Sequence, residues 1–230
     1  MTTIASTLQA VNARIAKAAV DVGRQAGEIT LLAVSKTMPV EAIRAAHFAG
    51  QADFGENYVQ EALDKIHATT GLKPITWHFI GPIQSNKTKL IAENFSWVHS
   101  VDRQKIAERL SRDRPESLLP LQICLQVNVS GEGSKSGVAP EQVSSLAATI
   151  ARLPRLKLRG LMAIPEPTAD TALQRNQFHQ LRELLDQLKQ QGLELDTLSM
   201  GMSHDLEAAI DEGATIVRVG TAIFGERRKA

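Results

Sequence analysis

The sequence has 230 residues, enough for one large α/β domain or two small ones. Hydrophobic residues make up 43% and charged residues 22%, and the net charge of +1 gives no long-range field that would attract nucleic acid or an anionic membrane. The single cysteine, Cys124, excludes an intrachain disulfide framework and is best interpreted as a small core residue. No stretch approaches about 18 uncharged apolar residues, so we expect a cytoplasmic protein without a membrane span.

Short apolar runs alternate with amphipathic segments along the whole chain. A helix over 1–21 comes first. Eight strands follow, at 29–35, 52–56, 75–80, 97–101, 121–129, 156–164, 195–200 and 215–219. Each strand precedes a helix: 40–49, 57 to about 66, 84–94, 103–112 capped by Asp102, one opened by Pro140, 171–191, 203–212 and a short final helix.

Eight strand–helix units in about 200 residues predict a closed (β/α)8 TIM barrel with an extra N-terminal helix. We expect residues 1–230 to form one such domain. A doubly wound open sheet is the structural alternative. The dinucleotide-binding version of that fold lacks support because no G-x-G-x-x-G follows the first strand.

Lys36 ends the first predicted strand, in phase with Leu32 and Val34. A lysine at the mouth of an apolar core loses hydration, so its amine is more easily deprotonated and can form a Schiff base with an aldehyde. The alternative is that Lys36 only reaches solvent at a strand end.

The loops after the seventh and eighth strands carry small and hydroxyl residues, among them Ser203, Gly220 and Thr221. In (β/α)8 barrels these two loops often bind phosphate, because glycine lets the backbone approach and free N–H groups bind the anion. The same residues could form tight turns with ordinary helix caps.

Arg218 lies in the eighth strand, in phase with Ile216 and Gly220, and would point into the barrel mouth. A guanidinium there needs an acceptor, which a carboxylate or a pyridine nitrogen would supply. Arginine keeps its proton, so it would hold such a nitrogen unprotonated. Lys36, the phosphate loops and Arg218 together match the aldehyde, phosphate and ring nitrogen of pyridoxal 5′-phosphate (PLP).

Other polar residues carry weaker signals. Asn57 could reach a ring oxygen or serve as a helix N-cap. His78 is typical of a hydrogen-bonded buried histidine, and the six histidines show no metal-ligand spacing, so we expect no metal. Lys135, in the Gly/Ser-rich loop 130–137, is either a solvated charge or an aid to ligand release. Lys87 and Lys89 are expected on a helix surface.

Seven segments carry a family resemblance: LLAVSKTMPVEAI, FGENYVQEALDK, WHFIGPIQSNK, SGEGSKSG, RGLMAIP, LSMGMSHDLEAAI and VRVGTAIFG. They resemble the pyridoxal phosphate homeostasis protein family, from the first strand to the C-terminus. The resemblance implies a barrel similar to the alanine racemase N-terminal domain. It also implies PLP held as a Schiff base on Lys36, the ring nitrogen on Arg218, and phosphate on Ser203, Gly220 and Thr221.

Members of this family bind PLP and influence vitamin B6 balance without an established catalytic turnover. The resemblance therefore implies a PLP-binding homeostasis protein and possible carrier, with apo PLP-dependent enzymes as transient acceptors. The small closed barrel permits a monomer.

The alternative function is an amino-acid racemase of the alanine racemase type. Those enzymes add a second domain and a tyrosine base, whereas this sequence ends just after the eighth unit and has one tyrosine, Tyr58. A lysine Schiff-base aldolase acting on a phosphorylated sugar would use the same barrel and phosphate loops without a coloured cofactor.

Overall fold

Eight parallel strands close into a barrel in the computed structural model, which describes residues 3–130 and 136–225. The strand order follows the chain, and β1 closes against β8 with Leu32 opposite Arg218. The predicted TIM barrel is therefore confirmed. The strands are β1 (Thr30–Val34), β2 (Asp53–Glu56), β3 (Thr76–Phe79), β4 (Trp97–Val101), β5 (Leu121–Gln126), β6 (Leu156–Met162), β7 (Thr197–Ser199) and β8 (Ile216–Val219).

Helices surround the barrel, and none in the described ranges is both long and apolar enough to cross a membrane. The first is the predicted extra N-terminal helix, which Thr3 and Ser6 begin with a capping box. The α-helices are α1 (Ile4–Asp21), α2 (Val40–Phe48), α3 (Val59–Ala68), α4 (Thr88–Asn94), α5 (Gln104–Asp113), α6 (Pro140–Ile150), α7 (Thr171–Gln190), α8 (Leu206–Asp211) and α9 (Thr221–Phe224).

Some predicted helix starts are wrong. Asp102 does not cap α5: its carboxylate accepts a 2.6 Å bond from the Arg103 guanidinium, and Arg103 is itself the N-cap residue. The helix expected over 84–94 begins as a 3₁₀ turn, Ser85–Lys87, before α4. The helix expected from residue 203 begins only at Leu206.

The main apolar core fills the layer between strands and helices. Phe79 of β3 and Phe95, which follows α4, meet edge to face at 5.3 Å between ring centroids, and both are buried. Phe178 and Leu181 bury the apolar face of α7 in the same core. Each fully buried side chain of this size contributes roughly 1.5–3 kcal/mol.

The inside of the barrel is more polar than this outer layer. His99 of β4 bonds to Ser199 of β7 at 2.7 Å, and strands this far apart in the sheet can meet only through the barrel interior. His78 of β3 and Arg218 of β8 are buried on the same inner face.

Helix α1 braces the loops that follow β7 and β8. Arg14 donates a 3.3 Å bond to the Ser203 carbonyl and pairs with Glu207 on α8. Thr7 donates a 2.6 Å bond to the Ile223 carbonyl of α9. The extra helix thus fixes the two loops in which the sequence predicts phosphate binding.

Candidate functional site

A cavity of about 250 Å³ opens at the C-terminal ends of the strands, where active sites of such barrels lie. Apolar side chains of Val34, Ile80, Ile164 and Met202 form part of its wall. The wall also brings together all six residues predicted from the sequence: Lys36, Asn57, Ser203, Arg218, Gly220 and Thr221.

Lys36 lies just beyond β1, half-buried on the cavity wall, and both flanking residues are anchored. The Ser35 carbonyl accepts a 2.8 Å bond from the Lys65 ammonium. The Thr37 N–H donates a 2.5 Å bond to the Glu61 carboxylate, and Thr37 has a φ of 64°, a conformation that is uncommon outside glycine. These anchors hold the Lys36 backbone in one position at the barrel mouth.

The anchors belong to a buried ionic cluster beneath the Lys36 loop. Lys65 of α3 is 3% exposed and Glu56 of β2 is fully buried, with 2.8 Å between Nζ and Oε1. Glu61 also pairs with Lys65, and the Ser35 hydroxyl donates a 2.7 Å bond to Glu56. Burial raises the pKa of Glu56, and Lys65 opposes that rise. Sequence reasoning missed this cluster, although the Glu61–Lys65 spacing of four residues on a helix was a usable signal.

Arg218 is 4% exposed and bonds to neutral acceptors. Nη1 donates to the Ser199 carbonyl at 2.5 Å and to the Ser199 hydroxyl at 2.9 Å, and Nη2 donates to the Ala163 carbonyl at 2.8 Å. Within residues 3–130 and 136–225 no carboxylate hydrogen-bonds to Arg218 or forms an ion pair with it; the Asp205 carboxylate acts on it only at longer range. Burial lowers the pKa of Arg218 to about 10, so it stays protonated at neutral pH.

The guanidinium has five N–H groups, and the bonds to Ser199 and Ala163 use three of them. The Nε hydrogen and one Nη2 hydrogen of Arg218 remain for an acceptor. The cavity therefore presents a fixed cationic donor on its β8 side.

Ser203 and Thr221 supply further donors to the cavity. In the described part of the chain, neither their hydroxyls nor their backbone N–H groups bond to another protein group. A Cβ on Gly220 would lie 3.1 Å from the Val34 carbonyl oxygen, so glycine lets the end of β8 approach β1 closely. An anion in this corner would meet several unpaired donors.

Asn57 contributes an unsatisfied polar group. Its Oδ1 atom is buried without a hydrogen-bond partner in the described residues. It does not cap α3, whose N-cap residue is Tyr58, so that alternative is wrong. Gly81 packs on the Asn57 backbone, where a Cβ would lie 2.2 Å from the carbonyl oxygen. A buried amide without a partner is costly in a folded protein, and a bound polar group would satisfy it.

Among the described residues, the other candidates His78, Lys87 and Lys89 do not line this cavity. His78 is a buried, hydrogen-bonded histidine, as predicted. Lys87 lies in the 3₁₀ turn beside a neighbouring depression, and Lys89 pairs with Glu93 at 3.8 Å on α4. Lys135 lies outside the described residues. Cys124 is fully buried, and burial raises the pKa of its thiol to about 12.

A larger depression, about 700 Å³, lies outside the barrel between α1, α7 and α8. None of the six predicted residues lines it. In the described ranges, no group of three histidine, cysteine or carboxylate side chains is arranged to hold a metal ion.

Comparison with known proteins gives matches along nearly the whole chain. Residues 7–228 match the family described as alanine racemase, N-terminal domain. The chain is 63% identical over 227 residues to the pyridoxal phosphate homeostasis protein of Pseudomonas aeruginosa, covering 99% of this chain and 97% of that protein. It is 52% identical over 229 residues to the protein of the same name from Escherichia coli K12, covering 99% and 98%.

Solved structures of similar proteins show the same fold. PipY of Synechococcus elongatus PCC7942, with PLP bound, is 39% identical with a TM-score of 0.86, covering 97% of this chain and 100% of that chain. Alanine racemase from E. faecalis has a TM-score of 0.72 at 20% identity, covering 95% of this chain and 58% of that chain, a likeness that shows the fold alone. By sequence along its whole length and by fold, the chain belongs to the pyridoxal phosphate homeostasis protein family.

Proposed function

We propose that this chain binds PLP in the 250 Å³ cavity and serves in intracellular PLP homeostasis. One observation carries the proposal: a single cavity gathers an amine, a fixed guanidinium, and an amide oxygen and a corner of donors that have no partner among the described residues. PipY, which shares this fold at 39% identity, is known with PLP bound. When bound, PLP supplies an aldehyde, a pyridine nitrogen, a ring hydroxyl and a phosphate.

Each of these groups has a matching residue. Lys36 holds the aldehyde carbon through its amine as a Schiff base, and Arg218 donates to the pyridine nitrogen. Ser203, Gly220 and Thr221 bind the phosphate, since backbone N–H and hydroxyl donors without partners favour an anion. The amide of Asn57 bonds to the ring hydroxyl. The cavity is slightly smaller than the roughly 300–1,000 Å³ typical of drug-sized ligands, which suits a single ring with a phosphate.

A binding role is better supported than a racemase role. Arg218 remains protonated and donates to the ring nitrogen without giving it a proton, which leaves the ring a poor electron sink. The sequence has one tyrosine, Tyr58, and it lines a neighbouring depression instead of the cavity. The described site therefore lacks a tyrosine that could act as the second base of a racemase.

The carrier role, the acceptors and the assembly state remain predictions. We expect one PLP-binding domain over residues 1–230, a monomer in the cytoplasm, and transient contact with apo PLP-dependent enzymes that receive the cofactor. We also expect Lys135 to assist PLP release, since it belongs to the Gly/Ser-rich sequence that follows β5.

The decisive experiment compares Lys36→Ala with the exposed-lysine control Lys89→Ala. The wild type and the control should show the visible absorption band of protein-bound PLP, and borohydride should fix the cofactor on Lys36 in peptide maps. Lys36→Ala should fold and lack both signals. A reduced adduct on another lysine would refute the assignment, and a colourless wild type incubated with PLP would favour the aldolase.

Two further assays address the role of the bound cofactor. L-Alanine incubated with the loaded protein should not racemise; turnover would favour the racemase. Lys135→Ala should load PLP normally yet pass it more slowly to an apo-enzyme. Equal transfer rates at equal loading would leave Lys135 a solvated loop charge.

A further inference from the structure

Four hydrogen bonds link Arg218 to the opposite end of the barrel. Arg218 Nη1 lies 2.9 Å from Ser199 Oγ, which lies 2.7 Å from His99 Nδ1. His99 Nε2 lies 2.9 Å from His78 Nδ1, and His78 Nε2 lies 3.1 Å from Asp53 Oδ1. Of these five side chains only that of Asp53 is appreciably exposed, at 29%.

The two ends of this chain of hydrogen bonds, Arg218 and Asp53, fix the direction of every bond between them. Arginine can only donate, so the Ser199 hydroxyl accepts from Arg218. At the other end a carboxylate can only accept, so His78 donates to Asp53 from Nε2. Burial lowers the pKa of both His78 and His99, so each ring is neutral and carries one N–H.

The positions of the hydrogens on His78, His99 and Ser199 follow from these two ends. His78 has its hydrogen on Nε2, so its Nδ1 accepts from His99 Nε2–H. The Nδ1 atom of His99 is left as an acceptor, and the Ser199 hydroxyl donates to it. The reverse tautomers would place an unprotonated His78 Nε2 against a carboxylate oxygen at 3.1 Å.

We propose that Asp53, His78, His99 and Ser199 form a directional chain that positions the Arg218 guanidinium for the cofactor's ring nitrogen; this rests on the proposed function. Because the Ser199 proton is engaged by His99, a lone pair of its oxygen faces Arg218 Nη1. That acceptor and the carbonyls of Ser199 and Ala163 hold the guanidinium in one orientation. The histidines act through Arg218 and are positioning residues.

The direction of these hydrogen bonds can be tested in the protein without cofactor. Nitrogen-15 NMR of the ring nitrogens should show His78 and His99 both as Nε2–H tautomers. An Nδ1–H tautomer at His99 would break the chain between Ser199 and His78 and overturn the proposal. This readout does not depend on PLP, so a failure of the proposed function is recognised separately, by the absence of loading in the wild type.

A matched pair of variants tests the positioning role. In His99→Asn the side-chain oxygen replaces Nδ1, which keeps the acceptor for Ser199 and loses the bond to His78. In His99→Gln the amide nitrogen replaces Nε2, which keeps the bond to His78 and loses the acceptor. We expect the Gln variant to bind PLP about three- to tenfold more weakly, with a shifted absorption band. The Asn variant should lose less affinity, because its amide oxygen accepts from Ser199 without a tautomer that His78 must fix.

If His99→Asn and His99→Gln weaken PLP binding equally, His99 only fills space. If neither changes PLP binding, His99 does nothing for Arg218. Both outcomes overturn the proposal. Circular dichroism and denaturant unfolding check that each variant is folded. If His99→Gln does not fold, Ser199→Ala is used instead, because this substitution removes the hydroxyl that accepts from Arg218. It should weaken PLP binding to a similar extent, and wild-type affinity in folded Ser199→Ala would also overturn the proposal.

Discussion

Replacing Lys65 by methionine removes the cation at the centre of the buried cluster beneath Lys36. The substitution keeps a similar volume, so the loss is mainly electrostatic. Glu56, which is fully buried, loses its ion pair at 2.8 Å, and the Ser35 carbonyl loses one of its two donors and keeps the Met38 N–H. Glu61 is 30% exposed and regains water, so its share of the cost is small.

Removing one partner of a buried ion pair costs about 3–5 kcal/mol, because an uncompensated charge stays buried. We therefore expect Lys65→Met to lower the free energy of unfolding by about 3–5 kcal/mol near pH 7, measured by urea unfolding followed by circular dichroism. The control Lys89→Met removes an exposed pair and should change stability by about 0.5 kcal/mol or less.

The loss in free energy of unfolding that Lys65→Met causes should become smaller as the pH falls. Burial raises the pKa of Glu56 above its ordinary 4.5, and the pKa rises further once Lys65 no longer opposes it. A carboxyl group with a raised pKa in the folded state stabilises below its ordinary pKa, and this contribution is lost as pH rises through the folded-state value. The deficit of Lys65→Met is therefore largest near pH 7 and shrinks as the pH falls towards 4.5.

A second substitution checks the cause. Glu56→Gln in the Lys65→Met background removes the unpaired charge and should recover about 1–3 kcal/mol. The electrostatic reasoning fails if Lys65→Met costs under about 1 kcal/mol near pH 7, or if its deficit is the same at every pH.

Three further outcomes are expected, two at the cavity and one in the core. Gly81→Ala should weaken PLP binding, because the new Cβ would lie 2.2 Å from the Asn57 carbonyl oxygen. Gly27→Ala, with open space around it, is the control. Unchanged PLP affinity in a folded Gly81→Ala variant would show that this close packing does not position Asn57. Arg218→Glu should weaken PLP binding or shift the absorption band; if neither changes, Arg218 is a structural charge. Native Cys124 should resist a thiol reagent at mildly alkaline pH and react only after unfolding, because burial raises its pKa to about 12; rapid reaction in the native state would contradict this.

Much of the site was predictable because two simple rules apply to it. Alternation along a strand sets the face of Lys36 and Arg218, and parallel barrels gather the loops after their strands at one end. Both rules depend on local pattern and strand count. The sequence therefore predicts that residues near positions 36, 57, 203 and 218 share one cavity, as they do.

Other features depend on three-dimensional contacts that no local pattern encodes. The bond between His99 and Ser199 crosses the barrel and depends on its closure. Asp102 has the composition of a helix cap, yet the adjacent Arg103 takes its carboxylate. The fifth strand ends at Gln126, short of the predicted residue 129. Val127 beyond it still bonds to Met162 of β6 and forms an isolated bridge with Val138.

Closure between β1 and β8, braced by α1, has a consequence for how the protein is made. Lys36 leaves the ribosome well before Arg218 and the donors at Ser203 and Thr221, which lie more than 160 residues further along the chain. A nascent chain carries the amine but has neither the guanidinium nor the phosphate corner, and Arg14 and Thr7 have no loops to hold. The proposed site is thus complete only once the chain has been synthesised past Thr221, and a nascent chain that exposes only Lys36 should not retain PLP.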